Sequence, residues 1–188
     1  MDHAFMEDTA HRLADEGVAT FRYNFPYMER GRWPPDRAPK LIDTVRAAVK
    51  AASGLVMGLP LFAGGKSLGG RMTSNAAARE ALPGVLGLIF LGFPLHPPKK
   101  PGVERAAHLD TVELPMLFLQ GTRDELAQLE LVRDTCNRLG SRTTLRVVEG
   151  ADHGFHVLKR SQRTDDEILD ELVSTTVSFC KALSQRQE

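Results

Sequence analysis

The sequence has few of the features that mark secreted, membrane or disulfide-linked proteins. Only two cysteines, Cys136 and Cys180, occur in 188 residues, which is too few for a disulfide framework. Both fall on predicted helices, and we expect them to be buried as small apolar side chains. No apolar run approaches the roughly 20 residues of a membrane span, and the acidic start, with Asp2, Glu7 and Asp8, is unlike a signal peptide. These absences predict a cytoplasmic protein without a membrane partner.

The chain also lacks an excess of charge of either sign. Its 24 lysines and arginines balance 24 aspartates and glutamates, so no overall field would attract nucleic acid or anionic lipid. Asp152, His153 and His156 are close in sequence, but the helical H-E-x-x-H pattern of a metal site does not occur. We therefore predict no metal, no cofactor and no nucleic-acid partner, while the oligomeric state is not predicted.

Helix and strand patterns alternate along the chain. The predicted helices cover residues 5–16, 41–52, 71–80, 126–139 and 164–183, and the predicted strands cover residues 18–24, 61–63, 85–91, 114–120 and 144–148. Such alternation is typical of a parallel sheet covered by helices on both faces. The fold class is therefore α/β, with a single domain over residues 1–188.

The most informative motif is a G-x-S-x-G turn formed by Gly65, Ser67 and Gly69, between a predicted strand and a predicted helix. Small residues on either side let the chain turn sharply enough to expose the serine as a nucleophile, and the backbone N–H of Leu68 would donate to an oxyanion. The segment also resembles the end of a phosphate-binding loop, but the glycine that such a loop needs is Pro60 here. A plain glycine-rich turn is the remaining alternative.

An acid and a base follow the serine in the order that an α/β-hydrolase uses. Asp124 comes directly after the strand 114–120, and His153 lies on the loop after the strand 144–148. The alternatives are an ordinary turn-forming aspartate and a surface histidine. Because all three residues follow strand ends, where open α/β sheets carry their chemistry, we predict a triad. His153 would be the general base for Ser67, and Asp124 would orient the imidazole.

The sequence resembles the α/β-hydrolase superfamily, and within it dienelactone-hydrolase-like predicted hydrolases. The branch is related to a testis-expressed protein and a chromatin-complex subunit. The resemblance rests on blocks in family order at residues 1–6, 21–28, 34–39, 64–72, 91–98, 121–124 and 152–153. It implies that Ser67, Asp124 and His153 match the family's triad. Dienelactone hydrolases proper use a cysteine nucleophile, so the serine argues against that particular activity.

The resemblance also implies an N-terminally truncated domain. Relatives carry a further strand and an H-G-x-G-type loop before the block at residues 1–6, and that loop supplies a second oxyanion donor. The further strand would lie between those at residues 18–24 and 61–63. Three outcomes are open: the protein starts upstream of Met1, the remaining strands close up, or a partner supplies the strand. Loss of one oxyanion donor typically lowers turnover roughly 100- to 1000-fold, so we expect reduced activity from the chain as written.

Two stretches without predicted regular structure, residues 26–39 and 93–108, follow strand ends and would shape the substrate site. We expect Tyr27, Trp33 and His96 to contact substrate. The basic residues of these loops either attract an acidic substrate group or are solvated surface charges; they are Arg30, Arg32, Lys99, Lys100 and Arg105.

Together these features predict a serine hydrolase that acts on an ester or thioester of a small soluble molecule through an acyl-enzyme. The alternative is a catalytically weak or inactive interaction module with the same fold. The two differ in whether Ser67 reacts as a nucleophile.

Overall fold

A computed structural model describes residues 4–55 and 58–185. Residues 1–3, which begin the block that resembles the family and include Asp2, lie outside the described part of the chain. The helices are α1 (Ala4–Asp15), α2 (Pro26–Glu29), α3 (Ala38–Leu55), α4 (Leu68–Arg79), α5 (Leu129–Leu139) and α6 (Asp165–Ser184). The strands are β1 (Leu61–Lys66), β2 (Val85–Leu91), β3 (Met116–Gly121) and β4 (Thr143–Val148). Short 3₁₀ helices cover Glu104–Thr111 and Gly140–Arg142.

The four strands form one parallel sheet in the order β1-β2-β3-β4. Side chains alternate across it because successive residues of a strand point to opposite faces. Leu88 and Phe90 of β2 join the core beneath α3, α4 and α5, whereas Leu91 joins the core beneath α1 and α6. Helices thus cover both faces, as the sequence predicted for an α/β fold.

Helix ends follow local signals. Thr164 accepts a hydrogen bond from the Glu167 backbone and Glu167 reaches back to the Thr164 backbone, so α6 begins with a complete capping box. Cys136 on α5 and Cys180 on α6 are buried free thiols, and burial raises the pKa of each to about 11. The prediction of buried, unpaired cysteines is confirmed.

The predicted strand at residues 18–24 is wrong. The segment has no regular structure, and no strand among the described residues pairs with it. Instead Tyr23 packs against the core that holds the neighbouring Phe25, and burial raises the pKa of Tyr23 to about 12. β propensity reports side chains that suit a half-buried surface, and here a helix provides that surface without a backbone partner.

The two stretches predicted to be irregular are also partly helical. Residues 26–39 contain α2 and the first two residues of α3, and residues 93–108 run into the 3₁₀ helix Glu104–Thr111. Pro26 at the start of α2 suits a first helical position, since its missing N–H is not needed there. No helix in the described part of the chain has the length and hydropathy to cross a bilayer.

Candidate active site

Ser67 occupies a strained turn between the end of β1 and the start of α4. Its φ of 65° and ψ of −114° lie in a region that L-residues rarely adopt. The turn is held by a hydrogen bond from the Ser67 N–H to the Leu91 carbonyl of β2, at 3.1 Å. Strain of this kind persists only where the surrounding structure fixes it, and it is common at functional sites.

Glycines at three positions make room for this turn, and only one of them, Gly65, belongs to the G-x-S-x-G motif. A Cβ on Gly64 would collide with the Ile89 carbonyl, and a Cβ on Gly70 would come within 2.7 Å of the Gly65 carbonyl oxygen. A Cβ on Gly65 would lie 3.3 Å from the backbone of Gly69 and Gly70. Gly69 has open space instead. The expectation that Gly69 is needed to close the turn is therefore corrected.

We expect Gly70→Ala to lower the free energy of unfolding by about 1–3 kcal/mol, because the new methyl group meets rigid backbone. Gly69→Ala is the matched control on the same helix and should be neutral or stabilising by up to about 1 kcal/mol, since alanine favours a helix. Urea unfolding of both variants measures the difference. Equal stabilities for the two variants would contradict the steric account.

The structure brings Ser67, His153 and Asp124 into one hydrogen-bonded chain. The Ser67 Oγ lies 2.8 Å from His153 Nε2, and His153 Nδ1 lies 2.7 Å from Asp124 Oδ2. Asp124 follows the end of β3 and His153 follows the end of β4, so neighbouring strand ends position the pair. An ionised carboxylate only accepts hydrogen bonds, which places the imidazole proton on Nδ1 and leaves Nε2 to accept from the serine hydroxyl.

Asp124 is held by more than the histidine. Its side chain is fully buried; Oδ2 also accepts from Gln120 Nε2 at 2.5 Å, and Oδ1 accepts from the Leu126 N–H at 2.8 Å. Gln120 is itself fixed, because its Oε1 accepts from the Phe93 N–H at 3.1 Å. The sequence analysis missed Gln120. Its only signal was a polar residue at the end of an otherwise apolar strand.

Lys66, the residue before Ser67, contacts the loop that carries His153. Its Nζ donates to the His153 carbonyl at 2.8 Å and lies 4.4 Å and 4.9 Å from the ring centroids of Phe5 and Phe155. Burial lowers the pKa of Lys66 to about 8, against the opposing attraction of the Asp124 and Asp152 carboxylates. The elbow therefore positions both the serine and, through Lys66, the backbone of the histidine. This residue was not predicted either, because the motif leaves its position unspecified.

A second serine–histidine pair exists, but its surroundings differ. Ser74 Oγ lies 2.8 Å from His108 Nε2 and donates to the Arg71 carbonyl, and Ser74 is completely buried within α4. Burial, and then the charge of Arg71, lower the pKa of His108 to about 4. No carboxylate of the described residues bonds to His108, so this pair lacks an orienting acid and serves to pack the 3₁₀ helix onto α4.

The residues expected to contact substrate lie in three different environments. His96 is 2% exposed, with Nε2 accepting from the Gln128 N–H and Nδ1 beside the Pro97 carbonyl, so both ring nitrogens serve the backbone. Trp33 is 82% exposed on the surface. For His96 and Trp33, contact with substrate stays a prediction. Tyr27 is half-buried against Phe25, and its contact with substrate stays a prediction.

Leu68 is the first residue of α4, so its N–H has no acceptor within the helix. Its oxyanion role stays a prediction. The residues considered for a metal are otherwise engaged: Asp152 Oδ1 accepts from the Gly154 and His156 N–H groups, and His156 bonds to Asp165. The described residues contain no group of three or more histidine, cysteine or acidic side chains that could hold a metal ion.

A serine on a strained strand-to-helix turn of a parallel sheet, hydrogen-bonded to a histidine and an acid on later loops, defines an α/β-hydrolase. A model of the alpha/beta hydrolase domain family matches residues 1–181, and the chain belongs to that family. The resemblance drawn from the sequence blocks is confirmed at the level of the superfamily.

Solved structures show the same fold. An alpha-beta serine hydrolase homologue from Coxiella burnetii matches with a TM-score of 0.74 at 23% identity, over 93% of this chain and 77% of that one. A serine hydrolase without a lid from Xanthomonas campestris gives a TM-score of 0.73 at 22% identity, over 95% of this chain and 75% of that one. A zinc-bound, cold-adapted esterase from an Arctic intertidal metagenomic library gives a TM-score of 0.61 at 18% identity, over 93% of this chain and 77% of that one.

Proposed function

We propose that the protein is a serine hydrolase that cleaves an ester or thioester of a small soluble molecule. The observation that carries the proposal is the chain of hydrogen bonds from Ser67 through His153 to the buried Asp124, at 2.8 Å and 2.7 Å. The strained φ of Ser67 gives independent support, because a turn without a function has no need to keep that conformation.

The roles follow from acidity. Ser67 is a poor nucleophile at neutral pH, so His153 takes its proton as Oγ forms a bond to the substrate carbonyl carbon. The Leu68 N–H donates to the oxyanion, at the positive end of α4. His153 then gives the proton to the leaving alcohol or thiol, and the acyl-enzyme forms. Water, deprotonated by His153, hydrolyses the acyl-enzyme and regenerates Ser67. Asp124 keeps the imidazole in the required tautomer throughout.

Similarity to proteins described as serine hydrolases and an esterase supports the class of reaction but not a particular substrate. Ser74, with His108 as its base, is the alternative candidate for the nucleophile. It is less suited, since it is completely buried and the pKa of its histidine is about 4, too low for an effective base at neutral pH.

A fluorophosphonate probe tests the proposal directly. Wild type and Ser74→Ala should be labelled, whereas Ser67→Ala should not, and peptide mapping should place the label on Ser67. Hydrolysis of p-nitrophenyl acetate should fall at least about 1000-fold in Ser67→Ala, as expected for loss of a triad nucleophile. A folded wild-type protein that stays unlabelled, beside a control hydrolase that reacts, would reject the proposal and favour a non-catalytic interaction module.

A further inference from the structure

One face of α4 begins beside the proposed nucleophile and carries Arg71. Arg105, on the 3₁₀ helix Glu104–Thr111, lies near Arg71. Ser67, Arg71, Ser74 and Asn75 are spaced so that they share one side of the helix. The 3₁₀ helix Glu104–Thr111 covers that side, because His108 lies 2.8 Å from Ser74 Oγ and 3.2 Å from Asn75 Nδ2. Helical side chains generally bend back toward the N-terminus of their helix, so we expect the Arg71 side chain to extend toward the turn that carries Ser67.

The positive charge at this face has no acidic partner among the described residues. Arg71 is half-buried, and its Nε is a buried nitrogen without a hydrogen-bond partner in the described part of the chain. Burial and then the nearby charge of Arg105 lower the pKa of Arg71, so the charge that acts on it is another cation. Neither side chain forms an ion pair with a described residue, whereas Arg30, Arg46 and Arg146 each do.

An unpaired guanidinium is unfavourable in a half-buried place, because it loses hydration without gaining an acceptor. Two guanidinium groups close together add repulsion. An anion removes both costs at once, and the planar donor set of arginine matches the two oxygens of a carboxylate. Since Arg71 lies one helical turn from Ser67 and helical side chains bend back toward the helix N-terminus, we infer that such an anion would be part of the molecule that reacts with the serine.

We propose that Arg71 and Arg105 bind a carboxylate of the substrate, so that the enzyme prefers esters or thioesters carrying an acidic group. This inference rests on the proposed hydrolase function. The carboxylate belongs to either the acyl group or the leaving group, and the two sources can be separated by experiment.

Matched ester pairs test the preference. The acyl pair is the mono-p-nitrophenyl ester of adipic acid against p-nitrophenyl hexanoate, and the leaving-group pair is 4-acetoxybenzoate against its methyl ester, with spontaneous hydrolysis subtracted. We expect wild type to favour the anionic member of at least one pair by about 10-fold or more in kcat/KM, since hydrogen bonds to a charged group have this size. The preference should shrink as sodium chloride is added.

The variants Arg71→Gln and Arg105→Gln should each reduce the ratio of anionic to neutral kcat/KM toward one. Arg79→Gln is the matched control, because Arg79 is an exposed arginine in the last turn of the same helix. It should keep the wild-type ratio. Comparing ratios within each variant removes any general effect of the substitution on turnover.

A binding experiment tests carboxylate recognition without the need for turnover. Adipate should raise the melting temperature of Ser67→Ala above that in sodium chloride of equal ionic strength, and neutral adipamide should not. Adding Arg71→Gln should abolish the shift. A wild type that hydrolyses neutral esters through Ser67, yet shows no anionic preference in either pair and no adipate shift, would overturn this inference alone. Failure of Ser67 to react with any ester or probe would overturn the proposed function as well.

Discussion

Replacing Asp124 by asparagine is expected to lower kcat about 1000- to 10,000-fold, with the fold retained. The carboxylate accepts from three donors, His153 Nδ1, Gln120 Nε2 and the Leu126 N–H. An amide that donates to His153 instead forces the imidazole proton onto Nε2, where it faces the Ser67 hydroxyl. The histidine can then no longer take the serine proton.

Turning the amide the other way does not restore the wild-type network. The amide nitrogen then faces the Leu126 N–H, so two donors meet in a buried place. An unsatisfied buried donor costs about 1–3 kcal/mol, and we expect a lower melting temperature for this variant. In the first orientation the amide nitrogen also faces the Gln120 Nε2 donor, and Gln120 cannot compensate by flipping, because its Oε1 is the acceptor for the Phe93 N–H.

Asp165→Asn is the matched control. It changes the same atom in another aspartate–histidine hydrogen bond of 2.7 Å, between Asp165 and His156 at the surface. Its kcat should stay within about twofold of wild type, because exposed pairs contribute little. Rates for p-nitrophenyl acetate hydrolysis compare the two variants. Similar kcat values for Asp124→Asn and wild type would remove Asp124 from the catalytic machinery.

The central strands were predictable because β2 and β3 are short, largely apolar runs, as buried parallel strands are. β2 matches its predicted bounds, and β1 is only longer than predicted, continuing through Gly64 and Gly65 to Lys66. Glycine is a poor strand former, so the pattern ended at Ala63. The segment at residues 18–24 shows the limit of such reasoning: its composition suits a strand, but a strand also needs a hydrogen-bonded neighbour, which composition does not reveal.

The order of Ser67, Asp124 and His153 could be inferred because each follows a strand end, and parallel strands bring their carboxyl ends together. The residues that hold them could not. Gln120 and Lys66 act through contacts that join one element to another. Such contacts depend on register and side-chain direction at the level of ångströms, and neither is encoded in a local pattern. His96 shows a related limit, since a histidine whose ring nitrogens bond to the backbone looks the same in sequence as one that binds only a ligand.

Replacing Lys66 by methionine is expected to lower kcat/KM about 10- to 100-fold, the size of effect that a small misplacement of a reacting group produces. Methionine keeps an apolar side chain against Phe5 and Phe155 but removes the hydrogen bond to the His153 carbonyl. Lys50→Met, at an exposed lysine of α3, is the matched control and should leave kcat/KM unchanged. Steady-state rates with p-nitrophenyl acetate measure both.

The pH profile separates a positioning role from a merely structural one. Because the pKa of Lys66 is lowered to about 8, the ammonium loses its proton as the pH rises through 8, and with it the attraction to the two rings and to Asp124 and Asp152. Wild-type kcat/KM should therefore decline above pH 8. Lys66→Met should lack this decline, and equal alkaline declines in the two proteins would contradict the assignment.

Stability should change in the opposite direction over the same range. The folded-state pKa of about 8 lies below the ordinary value of 10.5, so between these values the unfolded chain binds the proton and the folded protein does not. The contribution of Lys66 to stability therefore rises as the pH increases from about 8 to 10.5, while its interaction with the loop that carries His153 weakens. If kcat/KM falls with pH while the contribution of Lys66 to the melting temperature rises, alkaline unfolding is not the cause of the lost activity. In Lys66→Met the contribution should be absent, because the buried charge is gone at every pH.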